Sequence, residues 1–349
     1  MLMRRALTVA PLRRARTRQS HAVFFSTKDA STPSSWLSSI ISFFGGRSPT
    51  SKPETPRDPP QLKGTCIFID GNNLLHSKFS KTCQLVSQDE KSMPNGAMLG
   101  FLQEVHTIVE KFQPRRLCVV FDTPAITDRK KADPTYKADR ARTPDALRPQ
   151  FSLTAAALEA LNITVVRIPG TEADDLIASY TKASALDGYE VIIVSNDQDF
   201  FQLVQAGPPR VSVYKHGWKS LMGEEEVLRI IGGASPKWHP DMRSLRGDSW
   251  GKTPGLPGGI SKEDAVAVLS KSRGLMPLLD SLEQVDDKAL RWRLANAADM
   301  LRVSYRATKL EDSVALPVPM TNFAVSRANL DELAKYTTKA MPKLLFNSK

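Results

Sequence analysis

The sequence predicts an α/β protein, with a central, mostly parallel twisted sheet covered by helices on both faces and a smaller helical module after it. Two observations support this prediction. Short runs of β-branched and apolar residues alternate with segments of helical periodicity up to about residue 215. From Gly223 onward such runs become rare, and short helical patterns follow, interrupted by a Gly/Pro-rich stretch over 247–259. Continuous apolar strands are typical of parallel sheets, which are buried on both sides.

Each predicted element follows from one of these two patterns. The predicted strands are Cys66–Asp70, Leu117–Asp122, Ile163–Val166, Val191–Val194 and Val211–Tyr214. Helical periodicity lies between them at about 96–112, 144–160 and 172–186. Sheets of this kind bind their ligands at the carboxyl ends of the strands. Any functional site is therefore expected at that edge.

The charge of the chain is concentrated at its amino terminus. The 349 residues carry a net charge of +11, of which residues 1–60 supply ten Lys/Arg against three Asp/Glu. Residues 1–28 contain seven basic residues and no acid, interleaved with apolar and Ser residues, which is typical of an organellar presequence. Arg enrichment near the start favours the mitochondrion over the plastid. A basic arm that binds nucleic acid is the alternative interpretation.

Composition and spacing limit the remaining possibilities. The domain boundaries predicted from them are 1–60 for presequence and Ser/Pro-rich linker, 61–220 for the α/β domain, 221–317 for the helical module and 318–349 for a tail. The three cysteines have no close spacing, so neither a disulfide framework nor a zinc site is predicted. No apolar run is long enough to span a bilayer, and no membrane partner is expected.

Seven acidic residues fall where predicted strands end or helices begin. They are Asp70, Asp122, Glu172, Asp174, Asp175, Asp197 and Asp199. Taken singly, each is typical of a turn or a helix N-cap. Gathered at one sheet edge, the carboxylates would repel one another unless a cation neutralised them. Oxygen ligands without His or Cys favour Mg²⁺ or Mn²⁺, and two such ions roughly 3.5–4 Å apart can catalyse phosphodiester displacement.

A basic segment lies beside these acids. Residues 129–148 hold seven Lys/Arg and three Asp, with Tyr136 next to Lys137 in the middle. A solvated loop and helix face is the ordinary interpretation of such a charge run. Phosphate contact combined with base stacking on a single strand is the interpretation that the aromatic residue favours.

These residues together resemble a known family, the 5′ nuclease superfamily. It includes the 5′-to-3′ exonuclease domain of bacterial family-A DNA polymerases, the phage flap endonucleases and stand-alone organellar relatives. The resemblance runs from about Cys66 to Pro317. The blocks that carry it are Phe68–Leu74, Val120–Asp122, Tyr136–Arg140 with Thr143–Pro144, Glu172–Asp175, Ser195–Leu203 and Gly247–Asp248.

The resemblance implies a PIN-like fold and metal-dependent hydrolysis of phosphodiesters at 5′ ends or flaps, in organellar DNA replication or repair. It implies two Mg²⁺ ions, for which Mn²⁺ can substitute, and a separate K⁺ ion at a helix-loop-helix. The implied substrate is DNA with 5′ flaps, nicks or RNA primers, and the protein would bind it as a monomer. The first metal would be held by Asp70, Asp122, Glu172 and Asp174, and the second by Asp175, Asp197, Asp199 and Asp248. Segment 123–148 would form a helical arch, with Lys137 and Arg140 as catalytic residues on the scissile phosphate. The DNA-binding residues would be Arg129, Lys130, Tyr136, Lys137, Arg140, Arg142 and Lys262.

Three departures from the family pattern stand out. Gly251 occupies the position of a second-metal aspartate, and the loop Gly258-Gly259-Ile260 is longer by one residue. Ser77 and Lys78 stand where the family tends to place an arginine. Two alternatives to an active 5′ nuclease remain open. One is a catalytically weakened or inactive nucleic-acid-binding homologue, and the other is a PIN-type ribonuclease.

Overall fold

A six-stranded sheet organises the part of the chain that the computed structural model describes, namely residues 62–79, 95–132, 142–232, 235–248 and 253–326, with Asn329 and Asp331. The strands are β1 Thr65–Asp70, β2 Arg116–Val120, β3 Thr164–Val166, β4 Glu190–Val194, β5 Val211–Lys215 and β6 Ser220–Met222. Their order is β3-β2-β1-β4-β5-β6, with β6 antiparallel to β5 and every other pair parallel. The predicted fold class is confirmed.

Ten α-helices lie within the described residues. They are α1 Gly71–Lys78, α2 Gly96–Phe112, α3 Asp128–Ala132, α4 Arg148–Ala160, α5 Ala173–Leu186, α6 Glu224–Ile231, α7 His239–Arg246, α8 Lys262–Ser272, α9 Leu275–Asp280 and α10 Lys288–Thr308. Helix α2 has the bounds that periodicity predicts. Helix α1 and strand β6 have no counterpart among the predicted elements, because they are only eight and three residues long. No described helix has the length and apolar character needed to cross a membrane.

Side chains of successive strand residues enter two different cores. In β1, Cys66 and Phe68 pack against α5, whereas Ile67 and Ile69 pack on the other face with α2. This alternation follows from the two-residue period of a strand. All four side chains are fully buried, so each end of β1 is held rigidly between two apolar layers.

The helical residues after the sheet enclose an apolar cluster of their own. Leu245, Leu269, Leu275, Leu294 and Leu301 form its centre. After α10 the chain returns to the sheet, where Phe323 is fully buried and packs edge-on against Tyr180 with ring centroids 5.0 Å apart. The start of the predicted tail is therefore part of the α/β core.

The strand order indicates which edge of the sheet can hold a functional site. β1 has β2 on one side and β4 on the other, so the connections run in opposite directions from β1. In such sheets the reversal opens a crevice at the carboxyl ends of the central strands. Asp70 ends β1 at this point, and Asp197 follows β4.

Candidate metal centre at the carboxyl edge of the sheet

Asp70 lies at the centre of the carboxyl edge and caps α1. Its Oδ1 accepts a hydrogen bond from the backbone N–H of Asn73 (3.0 Å), and its Oδ2 accepts one from the Ser195 hydroxyl (2.8 Å). Only 5% of the residue is exposed. The pKa of Asp70 is raised to about 7, mainly by burial and to a smaller extent by the nearby charges of Asp122 and Asp197, although the two hydrogen bonds act to lower it. A negative charge on Asp70 is therefore costly in the absence of a cation.

Two asparagines on α1 tie the ends of the neighbouring strands to Asp70. The Asn72 side-chain oxygen accepts from the backbone N–H of Asp122 (2.9 Å), and that of Asn73 accepts from the backbone N–H of Asn196 (3.0 Å). Gly71 permits this close arrangement, since a Cβ there would lie 2.5 Å from the Phe121 ring. The block Asp70–Asn73 thus fixes the relative positions of the strand ends.

Helix α5 brings its amino terminus to the same edge. The Asp122 carboxylate accepts from the backbone N–H of Ala173 (2.8 Å), so it lies at the positive end of the helix. Glu172 is the N-cap residue, and Asp174 and Asp175 occupy the first turn. The structure therefore gathers these acids around one helix terminus, as the strand and helix boundaries predict.

The acids differ in how they are compensated. We call Asp70, Asp122 and Asp197 the inner carboxylates, because the charges of the latter two act on Asp70. As placed, no three His, Cys, Asp or Glu side chains of the described residues converge to hold a metal ion. The donor set nevertheless fits a hard divalent cation, because oxygen ligands that repel one another are stabilised by such an ion.

Arg129 compensates a second set of acids. Its guanidinium lies 2.5 Å from Asp175 Oδ1 and 3.7 Å from Glu172 Oε2. It also donates to the carbonyl oxygens of Lys309 (2.9 Å) and Ala307 (3.4 Å) at the end of α10. Arg129 therefore joins α3, the start of the predicted arch, to α5 and α10.

Arg243 on α7 compensates the third set. Its guanidinium lies 2.7 Å from Asp199 Oδ1 and 3.1 Å from Asp248 Oδ2. Asp248 also accepts from the backbone N–H of Thr253 (3.1 Å). We call Glu172, Asp175, Asp199 and Asp248 the bridged carboxylates. A cation of the protein itself thus holds two acids assigned to the second metal.

Two residues at the end of β5 complete the site, and sequence reasoning missed both. Lys215 is 4% exposed; burial lowers its pKa, and Asp197 opposes that shift. His216 Nε2 lies 3.0 Å from the Asn73 side-chain oxygen, and burial lowers the pKa of His216 to about 4. The imidazole is therefore neutral at pH 7. The apolar run that predicts β5 directly precedes both residues, so its carboxyl end is the signal that could have found them.

Some of the remaining predicted residues lie in the described part of the chain, and others lie outside it. Asp174 is partly buried in the first turn of α5, and Lys130 and Arg142 are exposed. The Lys262 ammonium donates to the carbonyl oxygen of Arg229 (2.8 Å). The positions outside the described residues are Tyr136, Lys137, Arg140 and Gly251.

The loop before α8 is held by a cationic side chain. Gly258 and Gly259 both have positive φ angles (79° and 70°), and Ser261 caps the helix by accepting from the Asp264 N–H (2.9 Å). The Arg293 guanidinium donates to the carbonyl oxygens of Pro257 (3.0 Å) and Gly259. The loop thus has a built-in cation, and potassium there stays a prediction.

The chain is similar in sequence to known proteins. Residues 65–232 match the family described as 5′-3′ exonuclease, N-terminal resolvase-like domain. The chain is 29% identical over 269 residues to the 5′-3′ exonuclease of Aquifex aeolicus, covering 77% of this chain and 89% of that protein. It is 30% identical over 275 residues to DNA polymerase I of Rhizobium leguminosarum, covering 76% of this chain but only 26% of the polymerase.

Solved structures share the fold at low sequence identity. The T5 D15 protein co-crystallised with metal ions superposes with a TM-score of 0.56 at 17% identity, over 79% of this chain and 99% of that one. The catalytic core of Rad2 in complex with DNA substrate superposes with a TM-score of 0.50 at 16% identity, over 82% of this chain and 93% of that one.

Proposed function

The domain of residues 65–232 belongs to the 5′-3′ exonuclease family, and on this premise we propose that the chain hydrolyses phosphodiester bonds at the 5′ ends and flaps of DNA. One observation carries the proposal. The inner carboxylates lie at the carboxyl edge of the sheet, where Asp70 is buried beside two other negative charges. Such an arrangement suits a divalent cation and the phosphate chemistry that it supports.

Mg²⁺, with Mn²⁺ as a substitute, is the proposed ion. Bound Mg²⁺ supplies an activated water and stabilises charge on the leaving oxygen. Asp70, Asp122, Glu172 and Asp174 are the proposed ligands of the first ion. Asn73 and Ser195 orient Asp70 through the two hydrogen bonds that its carboxylate accepts, so their role is to position a ligand.

The second ion is proposed to bind more weakly than the first. Asp175, Asp197, Asp199 and Asp248 are its assigned ligands, and Arg129 or Arg243 already contacts three of them. An ion must compete with these guanidinium groups. Gly251 removes a further carboxylate from the same set.

Substrate binding is assigned to two basic surfaces. Lys137 and Arg140, in the proposed arch, would contact the scissile phosphate of a 5′ strand. The loop that Arg293 holds, together with Lys262, would contact duplex backbone. Since each lost phosphate contact lowers the salt dependence of binding, Lys137→Ala should reduce the slope of log K against log[salt] by about 1.

A catalytically inactive binding protein is the second candidate. Arg243 bridging two carboxylates favours it, because this ion pair neutralises acids that a catalytic metal would need. The two candidates differ in one respect that can be measured, namely turnover of a cleavable substrate. A PIN-type ribonuclease differs from both candidates because its substrate is RNA.

A cleavage assay separates these functions. Labelled DNA with a 5′ flap, nicked duplex DNA with an RNA 5′ end, and single-stranded RNA are incubated with the full chain and Mg²⁺ or Mn²⁺, and products are sized. We expect the flap and nick substrates to be cut and Asp70→Asn to be inactive, which excludes a contaminating nuclease. Binding without any cleavage would establish the inactive homologue, and exclusive cleavage of the RNA would establish the ribonuclease.

We also propose that the chain acts in mitochondria, on the strength of its acid-free basic leader. Residues 1–60 fused to a fluorescent reporter should direct it to mitochondria. A matched fusion with Arg4, Arg5, Arg13 and Arg14 changed to Gln should stay in the cytosol, because import needs the positive charge. Delivery of the unchanged fusion to plastids or the cytosol would refute the assignment.

A further inference from the structure

An exposed tryptophan stands at the turn between β5 and β6. Trp218 is 68% exposed, although large aromatic side chains in a soluble protein are mostly buried. The surrounding segment, residues 210–223, contains Arg210, Lys215 and Lys219 and no acid. Arg210 lies at the opposite end of β5 and Lys215 is buried, so the exposed Lys219 is the basic neighbour of the indole at the turn.

The local structure restrains the indole. The backbone N–H of Trp218 donates to the carbonyl oxygen of Lys215 (3.1 Å), which closes the turn. The Lys215 ammonium lies 4.6 Å from the centroid of the indole ring, within the range of a cation–π interaction. Because Lys215 is itself buried, it holds the ring from the protein side. The indole would therefore lose little conformational entropy when it binds a flat ligand.

The turn is anchored directly to the carboxyl edge. His216 lies 3.0 Å from the Asn73 side chain, and the backbone N–H of Gly217 donates to the Asn196 side chain (3.0 Å). Asn73 in turn donates to Asp70. Trp218 follows His216 by two residues, so their Cα atoms are at most about 7.6 Å apart. The turn that carries the indole is therefore hydrogen-bonded to the same residue, Asn73, that donates to Asp70.

We propose that Trp218 is a stacking platform for a nucleobase of the DNA strand that the carboxyl edge holds. The inference rests on the proposed function, since it takes DNA as the ligand. Every base offers a π-face, so an aromatic platform suits a site that accepts any sequence. The exposed Lys219, next to the indole in the turn, complements a phosphate beside the stacked base.

The first test measures binding apart from cleavage. Fluorescein-labelled 5′-flap DNA is titrated with the full chain in buffer containing EDTA, and anisotropy gives Kd. Base–aromatic stacking of the usual strength predicts that Trp218→Ala weakens binding by roughly 5- to 150-fold, while Trp218→Phe retains most of the affinity. Leu186→Ala removes another exposed apolar side chain (83% exposed) at the far end of α5 and should bind like wild type.

The second test locates the stacked base. An abasic nucleotide is moved along the labelled DNA, and Trp218→Ala is compared with wild type at each position. At one abasic position, Trp218→Ala and wild type should bind with the same Kd, because the base that stacks on Trp218 is missing there. Wild-type affinity for Trp218→Ala, or an equal loss at every abasic position, would overturn the proposal, the latter assigning Trp218 to a contact other than stacking.

The outcomes distinguish this inference from the proposed function. A wild-type chain that binds DNA with a Trp218-dependent stacked base but never cleaves it would refute the nuclease and support the platform. A chain that cleaves normally when Trp218 is Ala, with unchanged Kd, would refute the platform alone. Failure of the wild-type chain to bind any DNA would overturn both.

Discussion

The inner carboxylates and the bridged carboxylates are acids of the same kind at the same sheet edge, yet the protein compensates them differently. Asp70, Asp122 and Asp197 accept hydrogen bonds from the Ser195 hydroxyl and from backbone N–H groups, and their mutual repulsion persists. Asp199 and Asp248 instead share the guanidinium of Arg243. An external cation would relieve the repulsion among the inner carboxylates, whereas guanidinium groups of the protein already neutralise the bridged carboxylates. The acids of a site predicted to bind two ions are therefore compensated in two different ways.

The largest expected effect is at Asp70. Asp70→Asn keeps the size of the side chain and removes a buried negative charge. We expect cleavage to fall on the order of 10³-fold or more, as loss of a metal ligand costs several kcal/mol of transition-state stabilisation. The melting temperature without metal should rise by a few degrees, because the repulsion from Asp122 and Asp197 disappears.

Differential scanning fluorimetry with and without Mg²⁺ checks the second half of this prediction. Mg²⁺ should stabilise the wild type and leave Asp70→Asn nearly unchanged, since only an ion that binds the folded state raises its stability. Equal stabilisation of both proteins by Mg²⁺ would show that the inner carboxylates do not hold the ion.

The next effect in size is at Arg243. Arg243→Gln leaves Asp199 and Asp248 without their shared cation. Because these groups are 20% and 11% exposed, the loss is smaller than for a fully buried pair, about 1–3 kcal/mol of folding free energy. Mg²⁺ should restore part of the loss, because the two acids then lack a competing guanidinium.

A matched surface variant controls this measurement. Lys271→Gln breaks an ion pair with Asp286 in which both side chains are mostly exposed, and denaturant unfolding should show no measurable change. Should Mg²⁺ fail to restore any stability to Arg243→Gln, the bridged carboxylates would be a purely structural feature.

The smallest effect is expected at Gly251, which lies outside the described residues. A missing distal ligand weakens an Mg²⁺ site without abolishing it, because water and substrate oxygens complete the coordination. We expect wild type to cleave a 5′-flap substrate but to need more Mg²⁺ than its relatives, and Gly251→Asp to lower the half-maximal Mg²⁺ concentration severalfold. Gly251→Asn is the control, since it has the same shape without the charge. A fall in both variants would assign the effect to the backbone.

Much of this protein follows from its sequence alone. Continuous apolar runs separated by helical periodicity predicted the parallel sheet, because the two-residue and 3.6-residue periods depend only on local backbone geometry. Acids directly after those runs, such as Asp70 and Asp122, were expected at one edge because parallel strands end together. The bounds of α5 likewise follow from its local periodicity, although the N-cap residue Glu172 makes no side-chain capping hydrogen bond.

Only the tertiary structure decided which groups meet. Arg129, predicted to bind DNA, contacts Asp175, which lies 46 residues later in the chain. Arg243 and Lys215 come from helices and strands that the motifs do not include. The turn that carries Trp218 is linked to Asn73 and Asn196, and the strand that follows this turn was not predicted. Whether a carboxylate faces another acid, a guanidinium or solvent depends on distances between distant elements. Charge and spacing along the chain do not encode those distances, so the division into inner and bridged carboxylates exists only once the chain is folded.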